Sequence, residues 1–187
     1  MSRFHAIVLA GGRSSRLGGI DKVLVPVDGT PLLGRAIDAV ADAADVVVVG
    51  PRRDLDLGRE VVWVREDPPF AGPAHAVVAG LAALAPGTAD EILVLAADHV
   101  RPDLVVAALR DGTGNRVAVD PSGRRQWAAS VVRAADLAAA VASLPTEGLS
   151  LRSLIGRLDP VDVPVSTEAG ADLDTPDDLE EYADDER

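Results

Sequence analysis

Short runs of apolar, often β-branched residues recur along the chain, each stopped by glycine, proline or aspartate. Between them lie stretches whose apolar residues repeat every three to four positions. Phe4 to Ala10 (FHAIVLA) ends at Gly11-Gly12 and predicts a buried strand feeding a tight turn. Asp45 to Val49, Glu60 to Val64 and Glu91 to Ala96 predict three further strands. After a turn around Asp28-Gly29, Thr30-Pro31 reads as the cap and first residue of a helix with Leu33, Ile37 and Val40 on one face. Pro73 opens a helix carrying Ala74, Val77, Val78 and Leu81, and Pro102 opens another over Asp103 to Leu109. Arg116 to Val119 and Trp127 to Val132 flank the turn Asp120-Pro-Ser-Gly and predict a hairpin at an antiparallel edge of the sheet. Helices over Ala134 to Leu144 and Ser150 to Gly156, a strand near Val161 and a last helix after Thr175-Pro176 complete the pattern. Such alternation predicts an α/β fold with a mostly parallel but mixed sheet, covered by helices on both faces. In these sheets ligands bind outside the carboxyl ends of the strands. Gly11-Gly12, Asp67 and Asp98 each follow a different predicted strand, so one crevice can hold all three.

The chain of 187 residues suits a single domain, residues 1–187, that needs no disulfide or metal for stability. Hydrophobic residues make up 48% of it but aromatic ones only 3%, so the core is built from Val, Leu, Ile and Ala, and aromatic stacking is a poor candidate for recognition. A net charge of −12 argues against polynucleotide binding, which calls for a basic face. Part of that charge lies in Asp174 to Glu186 and reads as a solvated helix and tail. The lack of cysteine excludes thiol chemistry and fits a cytoplasmic location. Ala6 to Ala10 is too short for a membrane span or a signal-peptide core, so no membrane partner is expected.

Candidate chemistry concentrates in Leu9-Ala-Gly-Gly-Arg-Ser-Ser-Arg-Leu-Gly-Gly-Ile-Asp-Lys22, immediately after the first strand. Glycines let backbone N–H groups approach an anion, and Arg16 and Lys22 can neutralise the oxygens of a triphosphate. The spacing is neither that of a P-loop nor that of the dinucleotide fingerprint. A bare glycine turn is more often a surface loop. Here the only lysine among 18 Lys and Arg residues ends the segment, a compact point charge in a chain that otherwise uses arginine. Asp98, past the strand Glu91 to Ala96, suits Mg²⁺, which prefers one or two carboxylates with phosphate oxygens, or else a helix N-cap. Asp67, in Glu66-Asp-Pro-Pro, suits a ligand role or a turn. His5, His75 and His99 lack metal spacing; His5 reads as a packed or edge residue within a strand, and His75 and His99, near the crevice, suit phosphate or substrate binding or, more often, support of the residues that bind. Asp172 and Asp174 suit either the metal or the following helix N-terminus.

The segment LAGGRSSRLGGIDKVL resembles the opening pattern Leu-Ala-Gly-Gly-x-Ser-x-Arg-Met-Gly-x-Asp-Lys of the molybdenum cofactor guanylyltransferase family, with Leu17 for Met and one extra glycine. Glu66-Asp67 with Gly72-Pro73 and Gly80-Leu81, then Ala97-Asp98, then Asp172-Leu-Asp-Thr-Pro-Asp-Asp-Leu179 are similar to its later segments. The resemblance implies a Rossmann-like three-layer α/β/α sandwich of nucleotidyltransferase type. It implies nucleotide binding by Leu9, Ala10, Gly11, Gly12, Ser14, Lys22, Asp67 and Asp98, catalysis by Lys22, Arg16 and Asp98, and Mg²⁺ on Asp98. The implied reaction moves GMP from GTP to a molybdopterin-type phosphate in a monomeric enzyme and releases pyrophosphate. Val49-Gly50-Pro51 lacks the Asn that family members often place there, His75 stands where an apolar residue is common, and Asp98-His-Val replaces Asp-Thr-Pro. Those departures leave room for CTP or another phosphorylated acceptor, or for a nucleotide-binding regulator without turnover. A glycosyltransferase would usually show Asp-x-Asp, which Asp98-His-Val is not.

Overall fold

In the computed structural model, residues 3–12, 20–87, 90–143 and 149–173, with 178 and 182, are described. They form β1 (Phe4–Leu9), a 3-10 turn (Lys22–Leu24), β2 (Pro26–Val27), β3 (Thr30–Pro31), α1 (Leu32–Asp38), β4 (Val46–Val49) and β5 (Val62–Val64). There follow α2 (Pro73–Ala83), β6 (Glu91–Ala96), α3 (Pro102–Arg110), β7 (Arg116–Val119), β8 (Arg125–Arg133), α4 (Ala134–Ser143), α5 (Leu151–Gly156) and β9 (Val161–Pro164). Seven strands make one sheet in the order β5-β4-β1-β6-β8-β7-β9. All its neighbours run parallel except β8, which is antiparallel to both β6 and β7. The expected α/β architecture with a mixed, mostly parallel sheet is present.

Period-two alternation divides the strands between two cores. Ala6, Val8, Val46, Val48, Leu93 and Leu95 face α1 and α3, meeting Leu33, Ile37, Val105 and Leu109. Ile7, Val47, Val49, Ile92 and Val94 face α2, α4 and α5, meeting Val77, Leu137, Leu154 and Ile155. Valine runs buried on both faces are what a parallel sheet between helices requires. At Gly80 the approach is so close that a Cβ would stand 2.6 Å from Cγ2 of Ile7.

Three details differ from expectation. Thr30 and Pro31 do not begin α1. They pair antiparallel with Pro26–Val27 across Asp28 (φ 51) and Gly29 (φ 75), two consecutive positive-φ residues that tie a tight hairpin, and the helix starts at Leu32. The strand predicted over Glu60 to Val64 is shorter, Val62–Val64. The β7–β8 hairpin is also not an edge: β8 lies inside, between β6 and β7, with a register shift at Val117/Ala118, and β9 adds outside β7. The predicted helix after Thr175-Pro176 lies outside the described residues apart from 178 and 182. Among the described residues no helix is long and apolar enough to cross a membrane.

Candidate functional site

From β1 the chain winds outward to β4 and β5, then returns to place β6 on the other flank of β1. The two loops that leave the carboxyl ends of β1 and β6 therefore diverge at a switch point, the place where open α/β sheets bind ligands. Ala10–Gly12 follows β1 and Ala97–His99 follows β6. Their strands are in register to the end, Leu9 opposite Ala96, and Ala97 N–H donates to Leu9 carbonyl at 3.0 Å.

A small third core holds the neighbouring pieces together. Val25, Val27, Leu32, Val100 and Leu173 are buried against one another, so the stretch after Lys22, the β2–β3 hairpin, the stretch after Asp98 and the chain near 173 share one support. Arg35 on α1 stitches it, donating to the carbonyls of Val100 and Val27, each at 3.1 Å. Leu173 N–H donates to the Asp98 carbonyl (3.1 Å), and Val100 N–H to that of Ala171 (3.0 Å).

On this support Lys22 Nζ donates directly to Asp98 Oδ2, although 76 residues separate the two. Both side chains are 18% exposed, partly screened yet open to a ligand. The N-cap role weighed for Asp98 is not what the structure shows, since α3 begins at Pro102 with Arg101 at its cap. Behind Asp98, His99 is 3% exposed, with Nδ1 2.8 Å from Asp172 Oδ1 but out of line for a straight hydrogen bond. Burial pulls the His99 pKa down, but the Asp172 carboxylate and the charge of Asp98 outweigh it, and the net displacement is upward. Asp172 thus faces His99 across the His99–Asp172 bridge. Asp174 lies outside the described residues, as do Ser14 and Arg16 of the glycine-rich segment.

Beside the glycines a cavity of about 290 Å³ is lined by Leu9, Gly11, Gly12, Glu66, Phe70, Gly72, Pro73 and Ala76. Its mainly apolar wall suits a flat heterocycle, and it opens next to the glycine turn. Asp67, the residue singled out by sequence, is exposed and does not line it; the neighbouring Glu66 does, buried, with Oε1 accepting from Phe70 N–H at 2.9 Å. Phe70 itself stands at the wall with φ 66 and the Arg65 guanidinium 5.2 Å from its ring centre, so one of the chain's few aromatic rings is at the site after all. A wider groove of about 840 Å³ along β5 is lined by Asp45, Arg52, Arg59 and Trp63 among others, and takes no residue from the glycine stretch, Lys22 or Asp98. His5 is buried with contacts of its own, 2.8 Å from Asp45 and 3.1 Å from Asp90, a packed residue.

Among the described residues no three histidines or carboxylates converge on one point. A single, partly exposed carboxylate still fits Mg²⁺, which keeps waters and draws its remaining ligands from phosphate oxygens rather than from a protein cage. Asp98 therefore offers oxygen to a cation, while the Lys22 ammonium and the backbone amides offer N–H groups to an anion.

Comparison with known proteins bears on this arrangement. Residues 6–161 match the model of the MobA-like NTP transferase domain. A molybdenum cofactor guanylyltransferase from Methylibium petroleiphilum is 38% identical over 78 residues, covering 40% of this chain and 38% of that protein. One from Vibrio cholerae is 27% identical over 119 residues, covering 57% and 59%. The matches thus span roughly two-fifths to three-fifths of those relatives' lengths. A nucleotidyl transferase from Methanothermobacter thermautotroptrophicus superposes with a TM-score of 0.70 at 22% identity over 97% of this chain and 96% of that one. Molybdopterin-guanine dinucleotide biosynthesis protein A from Archaeoglobus fulgidus gives 0.66 at 17%, covering 95% of each chain. At such identities the likeness establishes the fold.

Proposed function

The chain belongs to the MobA-like NTP transferase family, and we propose that it is a nucleotidyltransferase that moves GMP from GTP to a molybdopterin-type phosphate acceptor, releasing pyrophosphate. The observation that carries this reading is the meeting of Lys22 and Asp98 at the switch point, beside the glycine turn and the apolar cavity. A cation and a carboxylate placed together offer both charges the ligand needs: Lys22 would bind the triphosphate and Asp98 would hold its metal ion.

An oxygen of the acceptor phosphate attacks the α-phosphorus, a new P–O bond forms, and the bond to the bridging oxygen breaks with its electron pair leaving on pyrophosphate. No covalent enzyme intermediate is required, and a phosphate nucleophile is already deprotonated, so the protein needs no general base. Its share is in-line positioning and offsetting of charge by Lys22 and the amides of Gly11 and Gly12. Asp98 is the side chain that would hold Mg²⁺, which supplies further neutralisation of the phosphates.

The cavity supports guanine in particular. A carboxylate such as Glu66 presents acceptors that complement the N–H donors on guanine's Watson–Crick edge. The guanylyltransferase names of the curated relatives point the same way. The test is pyrophosphate release with Mg²⁺, a panel of four NTPs and phosphorylated acceptors. GTP is expected to lead, and Lys22→Ala and Asp98→Ala to lose about a hundredfold or more in kcat/KM, as removal of a preorganised charge does. Undiminished release from those variants overturns the roles, a preference for CTP overturns the base, and tight NTP binding without release identifies a regulator.

A further inference from the structure

The four residues after β4, 50–53, touch both ends of the glycine-rich segment. At its near end Gly50 packs on Ala10 and Gly11. A Cβ at position 50 would lie 2.6 Å from the Ala10 carbonyl oxygen and 3.0 Å from Gly11 N, so no side chain can stand there. At its far end Arg53 forks onto Asp21, Nε donating to Oδ2 at 2.7 Å and Nη2 to Oδ1 at 2.9 Å. Nη1 of the same guanidinium donates to the Pro51 carbonyl at 3.0 Å, and the side chain is 9% exposed. Asp21 is the cap residue of the 3-10 turn that begins with Lys22, yet its side chain makes no capping hydrogen bond. Its carboxylate is given to Arg53 instead.

We propose that Arg53 is a positioning residue for Lys22. A two-point fork fixes a carboxylate in orientation as well as place. Asp21 held in this way sets the start of the turn, and the turn aims the Lys22 ammonium at Asp98 and at the ligand space beside it. Gly50 fixes the other end, so one short segment sets the spacing between the amides at 11–12 and the cation at 22. Arg52, adjacent in sequence, is exposed and lines the outer groove. The two arginines are alike in sequence and opposite in role. The inference rests on the nucleotidyl-transfer reading for its kinetic consequence only.

Because Lys22 is the sole lysine, ¹³C-lysine labelling yields a single ε-methylene signal that reports its surroundings whether or not the protein turns over. Arg53→Ala and the milder Asp21→Asn are expected to shift or broaden that signal while Arg52→Ala leaves it in place. In the pyrophosphate assay with GTP, Arg53→Ala is expected to raise KM and lower kcat, about tenfold or more in kcat/KM. Arg53→Lys should recover only part, since it restores charge without the fork. A Lys22 signal unmoved in Asp21→Asn, or in a folded Arg53→Ala, overturns the proposal. So does kcat/KM within twofold of wild type for both variants. Absence of pyrophosphate release from the wild-type protein overturns the functional reading and leaves the lysine signal to judge Arg53.

Discussion

Gly50→Ala should damage stability and the site together, by an amount that can be apportioned. The new methyl group would fall 2.6 Å from the Ala10 oxygen and 2.7 Å from the Ala10 carbonyl carbon, where the obstacles are backbone and no side chain can swing away. Overpacking of this kind costs about 1–3 kcal/mol. Position 50 also sits at φ +152, which L-residues rarely adopt, adding roughly 1–3 kcal/mol. Together these give about 2–6 kcal/mol against a total folding stability of roughly 5–15 kcal/mol. Gly58→Ala is the control, since Gly58 has φ +65 but nothing within 4 Å of its Cβ position, leaving backbone strain of about 1–2 kcal/mol alone. Urea unfolding of the three proteins measures both differences, with similar slopes required for the comparison. If the Ala10 carbonyl moves to make room, the glycine turn moves with it, so pyrophosphate release should fall in Gly50→Ala and stay intact in Gly58→Ala. The reasoning is refuted if Gly50→Ala unfolds at the same urea concentration as Gly58→Ala, because the close approach would then carry no energy.

Three more outcomes follow from the same geometry. Leu173→Ala empties a fully buried position in the small core beneath Lys22 and Asp98; it should cost about 2–5 kcal/mol in urea unfolding, and a loss below about 1 kcal/mol would show that this cluster contributes little. Glu66→Gln keeps the size of the side chain but replaces one acceptor by a donor. Its GTP-over-CTP ratio in kcat/KM should drop about fivefold or more, within the 1–3 kcal/mol that a paired base contact supplies, and an unchanged ratio removes Glu66 from base recognition. Asp120 is held down to about 2, first by the Ser122 hydroxyl and then by the Arg124 N–H. A carboxylate with a depressed folded pKa stabilises above its unfolded value near 3.9 and ceases to do so as pH falls through about 2. Wild-type stability should therefore decline more steeply than that of Asp120→Asn between about pH 4 and pH 2; parallel urea midpoints across that window contradict it.

The strands were legible because their cause is local. Val46 to Val49 or Ile92 to Leu95 can satisfy burial on both faces only inside a covered sheet. Lys22 and Asp98 stood out by rarity and by position after a strand, but their contact depends on Val25, Val27, Leu32, Val100 and Leu173 gathering from three separated stretches, which no local pattern encodes. Thr30-Pro31 misled because a proline after threonine suits a helix start and a tight hairpin equally, and the positive-φ pair Asp28 and Gly29 decides for the hairpin. Glu66 stayed hidden beside Asp67, whose surroundings match the family pattern. Which of two adjacent carboxylates turns inward is set by the tight turn that brings Phe70 N–H onto Glu66. Arg53 was equally hidden beside Arg52.

The Lys22–Asp98 pair also bears on why a chain of net charge −12 could take a triphosphate. Long-range repulsion from the surface is screened within roughly 8–10 Å at ordinary ionic strength, so what decides binding is the charge inside that radius. There Lys22 already has its counter-charge in Asp98, and Asp21, next to Lys22, is occupied by Arg53. A carboxylate left alone beside the incoming phosphates would oppose them. Paired with cations, neither stands alone beside the ligand; in the proposed reaction Asp98 would hold the divalent ion and Lys22 would be available to the phosphates. On the proposed function, nucleotide and metal should therefore bind with positive coupling. Each ion frees the partner that the other needs, and in Lys22→Ala the metal should gain affinity for the empty site while nucleotide loses it.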